Sequence, residues 1–188
     1  MPRKVDLVIV CEDTLHETFM RAFLYRRGFT AHDLTFRKAP HGQGDAKQNV
    51  CELLCKELAA IRRFASPGRG LVFVMDADNL TTDARRRCIE EACKALDVPP
   101  PAEEEPVFGI IPKWEIENWL AYLRDEAVDE QSNAYNKYTG CESKVYPLAE
   151  RLADMCERKE LPGAPPSLVK ACAVYAKFTQ WRKARQRG

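Results

Sequence analysis

The chain has 188 residues, of which 45% are hydrophobic and 30% charged, and its 29 basic and 28 acidic side chains leave a formal net charge of +1. This length suits one ordinary domain that needs no disulfide or structural metal to fold, and the near-zero charge excludes a protein that coats polyanions uniformly. A mean hydropathy of −0.43 and short apolar runs exclude a membrane span, and the first residues do not form a secretory signal. We therefore expect a soluble, cytoplasmic protein.

Eight cysteines are present, and their spacing does not match a zinc site. No C-x-x-C pair occurs, and the closest pairs lie four and five residues apart, at Cys51 with Cys55 and at Cys88 with Cys93. Zinc sites in proteins usually draw their ligands from two close pairs. We therefore expect reduced cysteines that act as small apolar side chains in a cytoplasmic core.

Short apolar segments alternate with amphipathic ones along the first two-thirds of the chain. The runs VDLVIV and LVFVM predict buried strands at residues 5–10 and 71–75. Two further strands are predicted, at residues 32–38, where the pattern alternates, and at residues 107–111. Apolar positions at helical spacing predict helices at residues 15–27, 47–64, 82–96 and 116–123. This alternation predicts an α/β fold with a four-stranded, mostly parallel sheet flanked by helices.

The last third of the chain is predicted to be helical. Helices are expected at residues 146–158 and 167–178, so we divide the chain into a domain at 1–125 and a helical extension at 126–188 that packs on it. The tail is basic and interleaves Tyr175, Phe178 and Trp181 with its cations, a pattern that suits stacking on a nucleic-acid strand. Tyr175 and Phe178 also lie three residues apart, and the interpretation as core residues is favoured.

Acidic residues directly follow three of the predicted strands. They are Glu12, Asp13, Asp76, Asp78, Glu115 and Glu117. The carboxyl ends of parallel strands meet at one edge of a sheet, where ligands bind in such folds. Carboxylates gathered there oppose one another's ionisation unless a cation compensates, and Mg²⁺ or Mn²⁺ is the cation that carboxylate oxygens favour.

The Asp76-Ala77-Asp78 segment has the clearest chemistry. At a strand end its two carboxylates point the same way and can reach one metal ion or two adjacent ones. The same pattern also occurs at turns and helix caps, so the motif alone leaves a structural role open. The arginines at 85–87 and His16 are expected to be solvated, or in the histidine's case to cap a helix.

Three motifs in this order, VIVCED, VFVMDADN and IIPKWEIENWL, resemble the TOPRIM domain, the catalytic module of topoisomerases, bacterial primases and OLD nucleases. The chain is most similar to the small stand-alone bacterial TOPRIM-like proteins related to the OLD group, over about residues 5–123. The resemblance implies that Glu12 is a metal ligand or general base. It also implies that Asp76 and Asp78 are ligands of two Mg²⁺ or Mn²⁺ ions.

Further acids are assigned through the same resemblance. Glu17 resembles an additional acid of OLD-type domains, and one of Glu115 and Glu117 would complete the site, with Glu117 preferred. Many TOPRIM domains have glycine where this chain has Asp13, which is therefore either a further ligand or an obstruction. The chain lacks the ATPase region of the larger OLD proteins, so an ATPase partner would be a separate polypeptide.

The implied function is metal-dependent hydrolysis of phosphodiester bonds in nucleic acid, with DNA favoured over RNA and a link to bacterial defence. Lys113 is expected to stabilise charge in the transition state, while Lys47, beside the 42–44 glycine loop, and Lys144 are expected to contact phosphate. His41 is a weaker candidate. Two alternatives stay open: a non-catalytic TOPRIM-like module that binds nucleic acid or a partner ATPase, and a haloacid-dehalogenase-type phosphatase. Association into a homo-oligomer is also left open.

Overall fold

Four parallel strands form the centre of the protein, which a computed structural model describes over residues 6–39, 46–64, 68–134, 138 and 140–187. The strands are β1 (Asp6–Cys11), β2 (Leu34–Lys38), β3 (Arg69–Val74) and β4 (Val107–Ile110). The helices are α1 (Thr14–Arg26), α2 (Ala46–Phe64), α3 (Thr82–Ala95), α4 (Ile116–Leu123), α5 (Val145–Arg158) and α6 (Pro166–Arg187). The predicted elements are thus present, and α6 runs nine residues beyond its predicted end at residue 178.

The strand order is β2-β1-β3-β4 and every pairing is parallel, which confirms the predicted α/β class. The chain leaves β1 toward β2 on one side, then crosses back to place β3 on the other side of β1. The order therefore reverses between β1 and β3, and this is the point where open parallel sheets bind their ligands.

Alternating residues of the strands build two hydrophobic cores. Leu7 and Ile9 pack toward α1, α4, α5 and α6 on one face of the sheet. Val8 and Val10 pack toward α2 and α3 on the other face. Because successive side chains of a strand point to opposite faces, a strand covered on both sides reads as one continuous apolar run.

The carboxyl-terminal helices belong to the first of these cores. Tyr175 and Phe178 are buried, and the ring of Tyr175 meets that of Phe23 edge-on at a centroid distance of 4.9 Å. The interpretation of these two aromatic residues as core is therefore confirmed. Among the described helices, none is long and apolar enough to cross a membrane.

The cysteines differ from expectation at four positions. Cys55 and Cys93 form a disulfide between α2 and α3, and Cys156 and Cys172 form another between α5 and α6. The prediction of reduced thiols is wrong for these four, whereas Cys11, Cys88 and Cys141 are not part of a disulfide. The cause is helix packing, which brings residues 38 and 16 positions apart to Cα distances of 5.3 Å, a proximity that sequence spacing does not reveal.

Candidate active site

The acidic residues lie at the carboxyl edge of the sheet, around the junction between β1 and β3. Glu12 and Asp13 follow β1, and the turn at residues 76–78 follows the neighbouring β3. The segment after β4 is tied to this turn by two hydrogen bonds. The Ala77 amide donates to the Pro112 carbonyl at 2.9 Å, and the Asp78 amide donates to the Trp114 carbonyl at 3.1 Å. Three separate segments are thereby brought together.

His16 lies at the centre of this edge and is fully buried. Its Nδ1 lies 2.9 Å from Asp13 Oδ1, and its Nε2 lies 3.1 Å from Asp76 Oδ1. Asp13 is also the N-cap of α1, since its side chain accepts a hydrogen bond from the His16 amide at 2.9 Å. The expected solvated or capping histidine is therefore a buried bridge between the strand ends, because the first turn of α1 folds back across them.

The histidine is held in its charged form. Burial alone would lower the pKa of His16, but the charge of Asp76 and the hydrogen bonds to both carboxylates raise that pKa well above its usual value. Burial alone would likewise raise the pKa of Asp13, yet its bond to His16 lowers that pKa to about 2. The imidazolium therefore donates from both nitrogens and neutralises part of the acidic cluster.

Glu12 lies beside a cation supplied by the protein itself. Lys47 Nζ lies 3.6 Å from Glu12 Oε1 and forms a close ion pair with Asp78. The other oxygen, Glu12 Oε2, is buried and has no hydrogen-bond partner among the described residues. Burial and the charge of Asp76 raise the pKa of the Glu12 carboxyl. Lys47, which we expected to contact phosphate, is thus engaged with two carboxylates.

Two more cations surround Asp78, whose backbone has a left-handed φ of 51°. Arg85 Nη2 lies 3.3 Å from the Ala77 carbonyl and 3.4 Å from Asp78 Oδ2. The prediction of a solvated arginine is wrong here: Arg85 is buried, because this face of α3 packs against the turn. Lys113 Nζ donates to the Asp78 carbonyl at 3.0 Å and lies over the Trp114 ring.

Glu117 completes the acidic cluster from the first turn of α4. Burial raises the pKa of its carboxyl, and the charges of Asp76 and Glu115 raise it further. Glu115 itself is the residue directly before α4. The position of α4 is secured by Trp119, whose indole donates to the Ser167 hydroxyl at 2.9 Å. Of the two acids that sequence left open, Glu117 lies within α4 and its carboxyl is close enough to Asp76 for the two charges to interact.

Other sequence candidates are placed elsewhere. Glu17 accepts a hydrogen bond from Arg21 at 2.6 Å and pairs with Lys38 at 3.3 Å, at the end of β2. Lys144 lies directly before α5. The pKa of the nearby Cys141 is lowered first by its hydrogen bond with Ser143 and also by the charge of Lys144. His41 and the glycine loop at 42–44 lie outside the described residues.

The donors of the cluster suit a hard cation, although no coordination shell is preformed. Within the described parts of the chain, no group of three or more His, Cys, Asp and Glu side chains is arranged to hold a metal ion. Carboxylate oxygens are nevertheless the ligands that Mg²⁺ and Mn²⁺ prefer, and Glu12 Oε2 is buried without a hydrogen-bond partner in those parts. Binding at Glu12 and Asp78 would require Lys47 to withdraw from them.

Comparison of the chain with protein-family models, curated proteins and solved structures finds no match. The likeness to TOPRIM domains therefore rests on the three sequence motifs.

Proposed function

We propose that this protein is a divalent-metal-dependent nuclease that hydrolyses phosphodiester bonds in nucleic acid, with DNA favoured over RNA. The observation that carries the proposal is the convergence of Glu12, Asp76 and Glu117 from three chain segments. Burial and the charge of Asp76 raise the pKa of both glutamates. Shifted carboxyl groups at the switch point of a parallel sheet are typical of a catalytic site.

The charge balance of the cluster supports a cation as ligand. The negative groups are Glu12, Asp13, Asp76, Asp78, Glu115 and Glu117, and the positive ones are His16, Lys47, Arg85 and Lys113. With all of them ionised, six negative charges face four positive ones, an excess of two. One divalent ion would neutralise this excess, and a second would favour an anionic substrate.

The proposal involves two divalent ions. The residues that would hold them are Glu12, Asp76, Asp78 and Glu117. A bound ion would acidify a water molecule and stabilise negative charge on the attacked phosphate. The hydrogen bond between His16 and Asp76 fixes the orientation of the Asp76 carboxylate. Such outer contacts orient ligands and tune their basicity.

Phosphate binding is assigned to the cations that surround residue 78. Lys113 lies within hydrogen-bonding distance of the Asp78 backbone, and Arg85 and Lys47 approach its carboxylate. A carboxylate and a phosphate oxygen attract the same donors, so groups that hold Asp78 are suited to hold a substrate phosphate. Lys113 keeps the role of stabilising charge in the transition state.

A second candidate function is a non-catalytic module that binds nucleic acid or a separately encoded ATPase. The ion pairs of Lys47 with Glu12 and Asp78 favour it, because an internal ammonium already compensates two of the carboxylates. In that case the edge of the sheet would contact its partner without hydrolysis. The presence of turnover separates the two candidates.

The test uses the purified full chain with supercoiled plasmid, single-stranded DNA and single-stranded RNA, in Mg²⁺, Mn²⁺ or chelator. We expect cleavage that is lost on chelation and reduced at least about 100-fold by Asp76→Asn, which retains the size of the side chain. Glu103→Ala is the matched control, since it removes an exposed carboxylate that precedes β4, at the end of the sheet opposite the carboxyl edge. Thermal unfolding of each variant verifies that it is folded.

Three outcomes are distinguishable. Cleavage that survives chelation, or that Asp76→Asn leaves unchanged, contradicts the proposal. Tight binding of nucleic acid without cleavage supports the non-catalytic module. Release of inorganic phosphate from a small monoester, without cutting of any polymer, supports the haloacid-dehalogenase-type alternative.

A further inference from the structure

A cleft of about 530 Å³ follows the outer edge of β4, the last strand of the sheet. One wall is α3 and the other is α6, while residues 101–106 close the end where β4 begins. Phe73, Phe108 and Trp181 are its aromatic lining. None of the acidic-cluster residues lines the cleft, so what binds here is independent of the function proposed above.

The backbone of β4 has hydrogen-bonding groups directed into this cleft. The Pro106 carbonyl accepts a hydrogen bond from Leu71 of β3 at 2.8 Å, and the Ile110 carbonyl accepts one at 3.2 Å from Met75, the residue after β3. Since neighbouring residues of a strand direct their peptide groups to opposite sides, those of Val107 and Gly109 point away from β3. The Val107 amide bonds to the Glu105 carbonyl, and β4 has no strand on its outer side within the described residues.

The side chains of the strand do not oppose pairing with another strand. Its sequence, VFGI, contains no charge or proline, and either would discourage pairing with another strand. Gly109 lies beneath the Phe73 ring, so closely that a Cβ on Gly109 would lie 2.2 Å from a ring atom. The edge therefore presents flat backbone beside an aromatic surface, which is the combination used for strand addition.

We propose that the occupant is β4 of a second copy of this chain, paired antiparallel about a two-fold axis at Gly109. Two four-stranded sheets would then form one continuous sheet. Arg86 and Glu90 lie one turn apart on α3, are exposed, and both line the cleft. The two-fold axis makes the α3 helices antiparallel and brings Arg86 of one copy beside Glu90 of the other.

Charge selects a second copy over other strands. A purely basic or purely acidic peptide would leave one member of the Arg86 and Glu90 pair opposite a like charge. A second copy satisfies both, and the net charge of +1 causes little repulsion between copies. Antiparallel pairing also directs the two carboxyl edges in opposite directions, so both acidic clusters stay open.

The experiment measures the mass of the full chain by sedimentation equilibrium from about 1 to 300 μM, a range that covers ordinary dimer affinities. We expect twice the chain mass of 21.4 kDa. Arg86→Glu and Glu90→Arg should each weaken dimerisation at least about tenfold, and the double variant should return it to within about threefold of wild type. Arg87→Glu, an exposed neighbour that does not line the cleft, is the matched control.

Circular dichroism and thermal unfolding of each variant verify that a change in mass is not a loss of folding. A wild-type monomer across the whole range overturns the proposal, whether or not an added peptide binds to the cleft. So does a dimer that both single reversals leave intact, or a double variant no better than the single ones. Nuclease activity takes no part in these measurements, so the two proposals fail separately.

Discussion

Replacing His16 by leucine tests whether a buried charge holds the candidate site together. The leucine is similar in volume and apolar, so it suits a position with 0% exposure. The substitution leaves Asp76, which is only 7% exposed, without its charged partner. A buried carboxylate without a counter-charge is costly, and the fold should lose stability for electrostatic rather than packing reasons.

The size of the effect follows from the geometry. At a charge separation of about 4 Å and an effective dielectric constant of about 20, the attraction between imidazolium and carboxylate is about 4 kcal/mol. Removing one partner of a buried pair costs about 3 to 5 kcal/mol in other proteins, and the added apolar burial of leucine returns about 1 to 2 kcal/mol. We therefore expect His16→Leu to lower the free energy of unfolding by about 1 to 4 kcal/mol.

The assay is urea unfolding at pH 6 of the wild type, His16→Leu, Asp76→Asn and the double variant. The coupling free energy between the two positions should be at least about 2 kcal/mol, because asparagine removes the charge that leucine leaves uncompensated. Two results would refute the claim that the charged histidine stabilises this edge. One is that the effects of the two single substitutions on the free energy of unfolding are additive, and the other is that the His16→Leu protein is as stable as wild type. Glu103→Ala, with its exposed side chain, is the control for removing one carboxylate.

Three further predictions concern other charged groups. Lys47→Met should raise Mn²⁺ affinity at least about fivefold by calorimetry, because an internal cation no longer competes for the carboxylates; unchanged affinity argues against a metal there. The hydrogen bond from Arg62 lowers the pKa of Glu105 below its usual 4.5. The wild type should therefore be more stable than Glu105→Gln above pH 4.5, and this advantage should fade as the pH falls below that value. A difference in unfolding free energy that stays constant with pH contradicts this. Iodoacetamide at pH 8 should label exposed Cys141 and spare Cys11, whose burial raises its pKa to about 12; equal labelling in mass spectra contradicts it.

The fold was largely predictable because its determinants are local. Buried strands such as β1 carry their apolar pattern in a few consecutive residues, and helices such as α2 show theirs within a few turns. The acids that follow these strands were predictable for the same reason, since parallel strands share a carboxyl edge. Glu12 and Asp76 are adjacent because β1 and β3 are adjacent.

The partners of those acids were not predictable from local pattern. His16 meets Asp76 across 60 positions of sequence, and Lys47 reaches Asp78 from a different helix. Arg85 looked like one of three equivalent arginines, and only the packing of α3 distinguishes it. For the contact between His16 and Asp76, the available signal in the sequence was a histidine four residues after Glu12, an acid at a strand end. Periodicity assigns a residue to a helix face, but it does not say which side chain lies opposite.

Asp13 has a consequence for how such a site can vary. Its φ of −144° is ordinary extended backbone, so this fold does not require glycine after the strand-end glutamate. A side chain at that position starts α1 and fastens the imidazolium at the same time. Exchange of Asp13 for glycine would therefore release His16 on one side, and such an exchange would be better tolerated where position 16 carries no charge.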